Sequence, residues 1–170
     1  SQPPSTRRFI PSPPAPTLTT RGSGHDEDAN YSESPEVYSR NLDRIARKIS
    51  GMVVDLPEPI FKPGHGDMGL IAFGTTDWAV EEALADMETT PDYLRVRSFP
   101  FHQQVGEFLE NHETVMVIEQ NQQGQMAQLL AMEYPQLAGR IVSKTYYGGL
   151  PLSANFVREA LQSASEVEAR

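Results

Sequence analysis

Residues 67–76 read DMGLIAFGTT, an apolar run that stops at a Gly-Thr-Thr turn and is followed by a helical pattern. Such a run is typical of a buried strand in a parallel sheet, and the turn after it is where parallel sheets place their ligands. The same strand-and-helix unit recurs along the rest of the chain. Strands are predicted at residues 69–73, 93–96, 115–119 and 141–146, and helices at residues 77–87, 103–111, 124–133 and 153–165. This alternation predicts an α/β fold, a doubly wound and mainly parallel sheet with helices on both faces.

The sequence before this run predicts an extended Pro-rich arm, one helix and a linker. Six prolines fall in the first 16 residues, and the polar, turn-rich stretch behind them has too little apolar surface to order itself. A helix is predicted from residue 34, since Ser34 can cap it, Pro35 suits its first position and its apolar residues fall near one stripe. The predicted division is an arm or inter-domain loop at 1–33, a helix and linker at 34–66, and a domain at 67–168.

The composition narrows the classes of partner and compartment. A formal net charge of −9 argues against nucleic acid or an anionic membrane as partner, because both require clustered Lys and Arg. The absence of Cys excludes a disulfide framework, a thiolate zinc site and an iron–sulfur cluster held by this chain. No apolar run approaches the roughly 20 residues that span a bilayer, and no signal peptide opens the sequence, so a cytoplasmic protein is expected. Because the sequence starts at Ser1 without Met, we expect a piece of a longer polypeptide.

The carboxyl ends of the predicted strands carry the candidate ligand contacts. Thr75, Thr76 and Asn121 follow strands there, although the two threonines also suit helix caps and Asn121 suits a turn. Arg97 lies at the exit of a strand, on the same face as Arg95, where a guanidinium can hold an anion or a carboxylate of another domain. Contact with a partner or domain is the favoured reading, because no phosphate loop accompanies the pair.

The sequence contains no recognisable dinucleotide, diphosphate, triad or metalloprotease motif. The stretch GHGDMG at residues 64–69 matches G-x-G-x-x-G, but it precedes a strand, whereas a dinucleotide site needs it between a strand and a helix. The pair Gly66-Asp67 continues with Met68, so the Gly-Asp-Gly diphosphate motif is absent. No Ser-His-Asp or H-E-x-x-H pattern occurs, and no metal ligands are predicted.

The stretch GSGHDE at residues 22–27 is where a titratable ring, acids and flexible backbone meet. A His beside carboxylates can act as a general acid or base, or contact a bound acid. An exposed polar loop is the simpler interpretation, and metal binding is disfavoured because consecutive residues rarely all face one ion.

Six phrases, in their order along the chain, resemble one enzyme family. They are RGSGHDE, SPEVYSRNLDRIARKI, IAFGTTDWAVEEA, DYLRVRSFPF, VIEQNQQGQMAQLL and YYGGLPLSANFVREAL. The resemblance that they carry extends over nearly all of residues 20–165. The set is similar to the carboxyl-terminal part of the α subunit of 2-oxoacid:ferredoxin oxidoreductases, above all those of the 2-oxoglutarate type. The resemblance implies that residues 67–168 form the family's domain II, which is similar to the carboxyl-terminal domain of transketolase.

The resemblance implies an activity that this chain performs only as part of a complex. The family couples thiamine-diphosphate-dependent decarboxylation of a 2-oxoacid to acyl transfer onto coenzyme A, and passes electrons through an iron–sulfur cluster to ferredoxin. The β subunit supplies the Gly-Asp-Gly motif, the magnesium and the cluster cysteines, and an earlier domain of the α subunit holds the thiamine pyrimidine ring. We therefore expect partners in the β subunit and that earlier domain, coenzyme A and ferredoxin reached through the complex, and a chain that alone has no catalytic residue, cofactor or activity.

The family's arm around the GSGH stretch connects its domains. By resemblance, Gly22, Gly24 and His25 are candidates for facing substrate or coenzyme A, and Arg97 is a further candidate from its position at the exit of a strand. The stretch DEDANYSE departs in detail from the family's forms, and neither Arg97 nor Asn121 receives a defined role from the family phrases.

Two functions follow from these observations. The first is a fragment of an oxidoreductase α subunit that serves as scaffold and as subunit or domain interface. The alternative is a free-standing doubly wound module with a binding or regulatory function, whose ligand is a small anion. A response-regulator receiver is disfavoured, because Thr75-Thr76 and Glu119 stand where it needs an acidic cluster and a phosphorylatable Asp.

Overall fold

The computed structural model describes the backbone of residues 24–168 and the side chains of residues 24–164. Gly22 and the first 23 residues of the predicted arm therefore lie outside the described residues. The chain divides into two compact units, Ser1–Val54 and Asp55–Arg170.

The first unit is built around one helix, α1 (Pro35–Gly51). The hydroxyl of Ser34 accepts a hydrogen bond of 3.3 Å from the backbone N–H of Val37, and Pro35 occupies the first turn, where its missing N–H costs nothing. The helix buries none of its residues. Its apolar stripe is consequently exposed and consists of Tyr38, Leu42, Ile45 and Ile49.

The second unit contains five strands and four helices among the residues that the structure describes. The strands are β1 (Ile60–Lys62), β2 (Gly69–Phe73), β3 (Asp92–Val96), β4 (Val115–Glu119) and β5 (Ile141–Thr145). The helices are α2 (Thr76–Ala85), α3 (Gln103–Asn111), α4 (Gln125–Glu133) and α5 (Ala154–Glu168), and a six-residue 3-10 helix (Pro135–Arg140) precedes β5. The predicted strands and helices of the domain lie within one to three residues of these bounds.

The strand order is β1-β3-β2-β4-β5. Strands β3, β2, β4 and β5 are parallel neighbours, and β1 pairs with β3 in the antiparallel direction. The chain runs from β2 to β3 on one side and then returns to β4 on the other, so the topological switch point lies between β2 and β4. Strand β1 falls in the segment predicted as linker; its three exposed residues between Pro59 and Pro63 carry no alternating pattern that predicts a strand.

The core lies on both faces of the sheet. On one face, Leu70, Tyr93 and Met116 pack against helices α2 and α5. On the other face, Ile71, Leu94 and Val117 form a cluster with residues of α3 and α4. Every residue of β4 is buried, as expected for a strand that lies between two parallel neighbours and is covered on both faces. The predicted α/β class, with a mainly parallel doubly wound sheet and helices on both faces, is therefore confirmed.

The GHG stretch fastens the loop ahead of β2 to the amino end of β3. The backbone N–H of Gly64 donates to the Asp92 carboxylate at 2.6 Å, and those of His65 and Gly66 donate to the carbonyl of Thr90 at 2.8 and 3.0 Å. The Asp92 carboxylate also lies 3.1 Å from Nε2 of buried His112. These glycines serve a close backbone approach rather than a phosphate site.

Gly64→Ala is expected to destabilise the second unit by roughly 1–2 kcal/mol. A Cβ at this position would stand 2.3 Å from the backbone carbonyl oxygens of both Thr90 and Pro91, which immediately precede β3. Urea unfolding of the chain measures the effect. Gly139→Ala is the matched control, because an added Cβ there meets nothing within 4 Å. An unchanged unfolding midpoint for Gly64→Ala would contradict the close approach.

Within residues 24–168, the helices are either too short or too polar to cross a bilayer.

Candidate functional site

The carboxyl ends of β2 and β4 meet at the switch point, where open parallel sheets bind ligands. After β2 the chain turns at Gly74, whose φ is +60°, and enters α2 through Thr75 and Thr76. The side-chain amide of Gln120 donates to the hydroxyl of buried Thr76 at 3.1 Å. The crevice between the two strands is thus bridged by the chain's own side chains.

Glu119 is the last residue of β4 and is fully buried. Its carboxylate accepts backbone N–H groups from Met126 at 2.7 Å and Ala127 at 3.2 Å, in the first turn of α4. The side-chain amide of Asn121 adds a hydrogen bond of 2.6 Å, and the hydroxyl of Ser143 on β5 lies 3.5 Å away. The carboxylate therefore occupies the helix N-terminus, the position at which an external anion would otherwise bind.

Asn121 shapes the turn that leads into α4. Its side-chain oxygen accepts the backbone N–H groups of Gly124 at 2.7 Å and Gln125 at 3.1 Å. Gly124 has a φ of +67°, in the left-handed region that glycine adopts at low cost. The side chain of Asn121 is committed to these contacts and to Glu119. Its predicted contact with a ligand stays a prediction.

Helix α2 also begins with a carboxylate of its own. Asp77 is buried and accepts a hydrogen bond of 2.7 Å from the Tyr93 hydroxyl, while its second oxygen lies 2.9 Å from the guanidinium of Arg95. Arg95, which the sequence placed on the same face as Arg97, is therefore held by an internal carboxylate. Both helices at the switch point start on an acidic side chain, which makes this edge unfavourable for an anionic ligand.

Burial raises the pKa of Tyr93, and the hydrogen bond to Asp77 raises this pKa further. The neutral phenol is the form that fits a buried site facing a carboxylate. In an unfolded chain the same hydroxyl loses its proton near pH 10. The folded state consequently retains a proton that the unfolded state releases in alkaline solution.

Alkaline solution is expected to destabilise the fold through Tyr93. The contribution of Tyr93 to stability is complete below about pH 10 and falls as the pH rises further. Above that pH the unfolded state has lost the phenol proton that the folded state still holds. Urea unfolding as a function of pH measures this. Tyr93→Phe should reduce the slope of unfolding free energy against pH, measured above about pH 10, by up to about 1.4 kcal/mol per pH unit. Tyr147→Phe, at an exposed tyrosine, should keep the wild-type slope, and equal slopes for all three proteins would contradict the assignment.

Arg97 is exposed and lies one residue beyond β3. Its guanidinium contacts the backbone carbonyl of Glu58 at 3.4 Å, in the segment before β1. Arg95 and Arg97 line an open depression with a volume of about 480 Å³, together with Phe73, Gly74 and Phe99 among others. Of the predicted candidates, Arg97 is the one that leaves a positive charge at an open surface.

Gly24 and His25 belong to the first unit. His25 forms an antiparallel bridge with Tyr31, and its carbonyl accepts the side-chain amide of Asn41 on α1. Its ring is on an exposed residue. Asp26 holds the following turn, and the backbone N–H of Asn30 lowers the pKa of this carboxyl. The structure thus orders the loop after His25 without assigning its ring a reaction, and the substrate- or coenzyme-facing role stays a prediction.

A larger depression at the same carboxyl edge has a volume of about 880 Å³ and lies between α2 and the loop that joins β5 to α5. We call it the aromatic groove. Its lining residues are Thr75, Trp78, Ala79, Glu82, Gln120, Tyr146, Tyr147, Gly149, Leu150, Pro151, Leu152, Ser153 and Ala154. Trp78, Tyr147 and Leu150 are 72%, 64% and 72% exposed. Sequence reasoning missed the groove; the available signal was the sole Trp of the chain on the polar side of a helix.

The described residues do not fit a metal ion or a diphosphate. Across residues 24–168, no group of three His, Cys, Asp or Glu side chains stands close enough to hold a metal. The N–H groups at the start of α4, which would suit a diphosphate, are taken by Glu119. The start of α4 is therefore not free to receive the diphosphate of thiamine diphosphate.

No family model matches the chain. A curated relative, subunit alpha of 2-oxoacid:ferredoxin oxidoreductase 2 from Aeropyrum pernix, is 32% identical over 123 residues, which is 67% of this chain and 19% of that protein. A solved 2-oxoglutarate:ferredoxin oxidoreductase from Magnetococcus marinus, with 2-oxoglutarate, coenzyme A and succinyl-CoA bound, matches with a TM-score of 0.71 at 22% identity. This match covers 89% of this chain and 27% of that chain, and shows the likeness of fold. The chain thus spans about a fifth of the length of its curated relative.

Proposed function

This chain belongs to the family of 2-oxoacid:ferredoxin oxidoreductase α subunits, and we propose that it is the part of such a subunit that supports the catalytic machinery. In this proposal, residues 67–168 are the family's domain II, a scaffold and an interface with other domains and subunits. The substrate we propose for the complete enzyme is 2-oxoglutarate, after the protein from Magnetococcus marinus that shares the fold.

The observation that supports a scaffold is the closed edge of the sheet. Glu119 and Asp77 occupy the starts of α4 and α2, and Gln120 bridges to Thr76 across the crevice. Side chains that would polarise or attack a substrate are instead engaged with one another. The exposed side chains at the same edge include the large apolar groups of Trp78, Tyr147 and Leu150, and exposed aromatic groups are typical of an interface.

The reaction in this proposal takes place on groups held elsewhere in the complex. Thiamine diphosphate and magnesium supply the decarboxylation chemistry, and the iron–sulfur cluster carries electrons to ferredoxin. The β subunit and an earlier domain of the α subunit bind these groups, and coenzyme A and ferredoxin reach this chain only through the complex. The proposed complex works in the cytoplasm, without nucleic acid or membrane as partner.

Four residues remain candidates for contact with substrate or coenzyme A in that complex. Gly22 lies outside the described residues, and Gly24 and His25 lie in the loop ahead of α1. Arg97 carries the positive charge that a 2-oxoacid carboxylate or a coenzyme A phosphate would pair with. Thr76 and Asn121 form hydrogen bonds at the strand ends, and Thr75 makes no side-chain capping bond; all three stay strand-end candidates.

The alternative function, a free-standing module that binds a small anion, is favoured by one observation. The depression beside Arg95 and Arg97 is open and borders the Arg97 guanidinium, which donates a long hydrogen bond of 3.4 Å to the carbonyl of Glu58. Against it, Arg95 is already held by Asp77 at 2.9 Å. A single exposed guanidinium without backbone N–H groups aimed at the same point binds anions weakly.

A thermal-shift series on the 170-residue chain separates the two functions. The scaffold proposal expects no rise in melting temperature with thiamine diphosphate and magnesium, 2-oxoglutarate, coenzyme A or inorganic phosphate. The anion module expects a rise that grows with ligand concentration, since a ligand that binds the folded state stabilises it by mass action. Arg97→Ala should abolish such a rise. A rise with thiamine diphosphate and magnesium would overturn the scaffold proposal.

A further inference from the structure

The aromatic groove combines exposed rings with a single charge. Trp78 and Glu82 are four residues apart on α2, so their side chains lie beside each other on one face of the helix. Among the described residues that line the groove, Glu82 alone is charged, and it is exposed. A tryptophan face and a carboxylate both attract a cation, and a groove without Lys, Arg or His offers nothing to an anion.

The walls of the groove are held in place from beneath. Leu152 and Ala154 are buried in the core layer under α2 and α5, and Tyr146 packs edge-on against Phe156 with ring centroids 5.2 Å apart. The Ser153 hydroxyl accepts the backbone N–H of Phe156 at 3.4 Å, which fixes the start of α5. A surface that is already ordered loses little entropy when a partner binds to it.

The exposed side chains have the chemistry of a protein interface. Trp and Tyr dominate the few positions that contribute most of the affinity between proteins, and they do so where apolar surface surrounds them. Trp78, Tyr147 and Leu150 each expose more than three fifths of their surface around this groove. Small ligands are usually buried by concave pockets with converging polar groups, whereas this groove is open and the amide of Gln120, one of its polar side chains, is already engaged with Thr76.

We propose that the aromatic groove docks an arginine or lysine side chain of the partner β subunit, presented between apolar residues. The inference rests on the proposed function, because it takes the partner from the family's assembly. The cation stacks on Trp78 and pairs with Glu82, while Tyr147 and Leu150 cover its apolar neighbours. The chain's net charge of −9 adds a general attraction for a basic surface.

The test uses the complete complex, with the affinity of the α subunit for the β subunit measured by analytical ultracentrifugation at two salt concentrations. Trp78→Ala is expected to weaken assembly by about 30-fold, and Glu82→Gln by about fivefold with a smaller salt dependence. Met132→Ala and Glu88→Gln are the controls, since Met132 is 67% exposed and Glu88 is also exposed. Unfolding curves of the separate α subunits should be unchanged by all four substitutions.

Wild-type affinity for both groove variants in an active complex would overturn the groove inference and leave the proposed function intact. Self-association of the 170-residue chain that Trp78→Ala abolishes would also overturn it, because the occupant would then be a second copy. A complex that assembles through the groove but does not reduce ferredoxin with 2-oxoglutarate would instead contradict the proposed function.

Discussion

Glu119→Ala is expected to lower the free energy of unfolding by about 3 kcal/mol, the largest effect of any single substitution considered for this chain. The carboxylate is fully buried and receives the N–H groups of Met126 and Ala127 and the amide of Asn121. Alanine would leave these donors without an acceptor inside the protein and would open a cavity at the end of β4.

Urea unfolding monitored by circular dichroism measures the loss. Glu119→Gln keeps the shape but removes the charge, so its loss should be roughly half as large. Glu88→Gln, at an exposed glutamate, should change the unfolding free energy by less than about 0.5 kcal/mol. A Glu119→Ala protein as stable as the wild type would mean that the carboxylate is not the cap of α4.

Asp77→Ala is expected to cost about 2.5 kcal/mol, because it strips two partners at once. The Tyr93 hydroxyl loses its acceptor at 2.7 Å, and the Arg95 guanidinium loses its carboxylate at 2.9 Å. This expected loss of unfolding free energy is smaller than the loss for a fully buried ion pair, because the Arg95 side chain is 33% exposed and water partly replaces the lost carboxylate.

A double-mutant cycle with Asp77→Ala and Tyr93→Phe isolates the hydrogen bond between the two side chains. A coupling energy of about 1 kcal/mol is expected. Tyr93→Phe in the Asp77→Ala background should be nearly neutral, because the hydroxyl then has no carboxylate left. If the stability losses of the two single variants simply add up in the double variant, a direct hydrogen bond between Asp77 and Tyr93 is contradicted. Glu82→Gln, which exchanges an exposed carboxylate on the same helix, is the control.

The sheet was predictable because the chain repeats one local pattern. Residues 69–73 and 115–119 are continuous apolar runs, which indicate strands covered on both faces, and each is followed by turn residues and a helical stripe. The structure places both as predicted, as β2 and β4. Strand β1 was not predictable in this way. Its pairing with β3 depends on a contact across more than 30 residues of sequence rather than on any local pattern.

The site was only partly predictable, because its contacts come from different elements. The sequence placed Thr75, Thr76, Glu119 and Asn121 at the ligand edge, which follows from the strand ends. It did not indicate that Glu119 turns inward to cap α4, since this depends on the glycine turn at Gly124. The aromatic groove likewise exists because the loop after β5 lies near α2, which no local pattern encodes.

Helix α1 is a further element that was predicted from the sequence without its packing partner. The periodicity predicted a stripe of Val37, Leu42, Ile45, Ile49 and Met52. In the structure Leu42, Ile45 and Ile49 are exposed, and Val37 and Met52 are half-buried. An amphipathic helix gains most of its stability from covering its apolar face. The sequence of this chain therefore predicts the helix but not the surface that covers it.

The most direct test of the proposed function is ferredoxin reduction by the complex that this chain belongs to. The chain carries an affinity tag, the assembly is purified from its own host, and reduction of ferredoxin is followed in the presence of 2-oxoglutarate and coenzyme A. We expect activity that requires both compounds in the assembly and no activity in the separate 170-residue chain. Activity of the separate chain, or an assembly that reduces ferredoxin with no 2-oxoacid, would contradict the account.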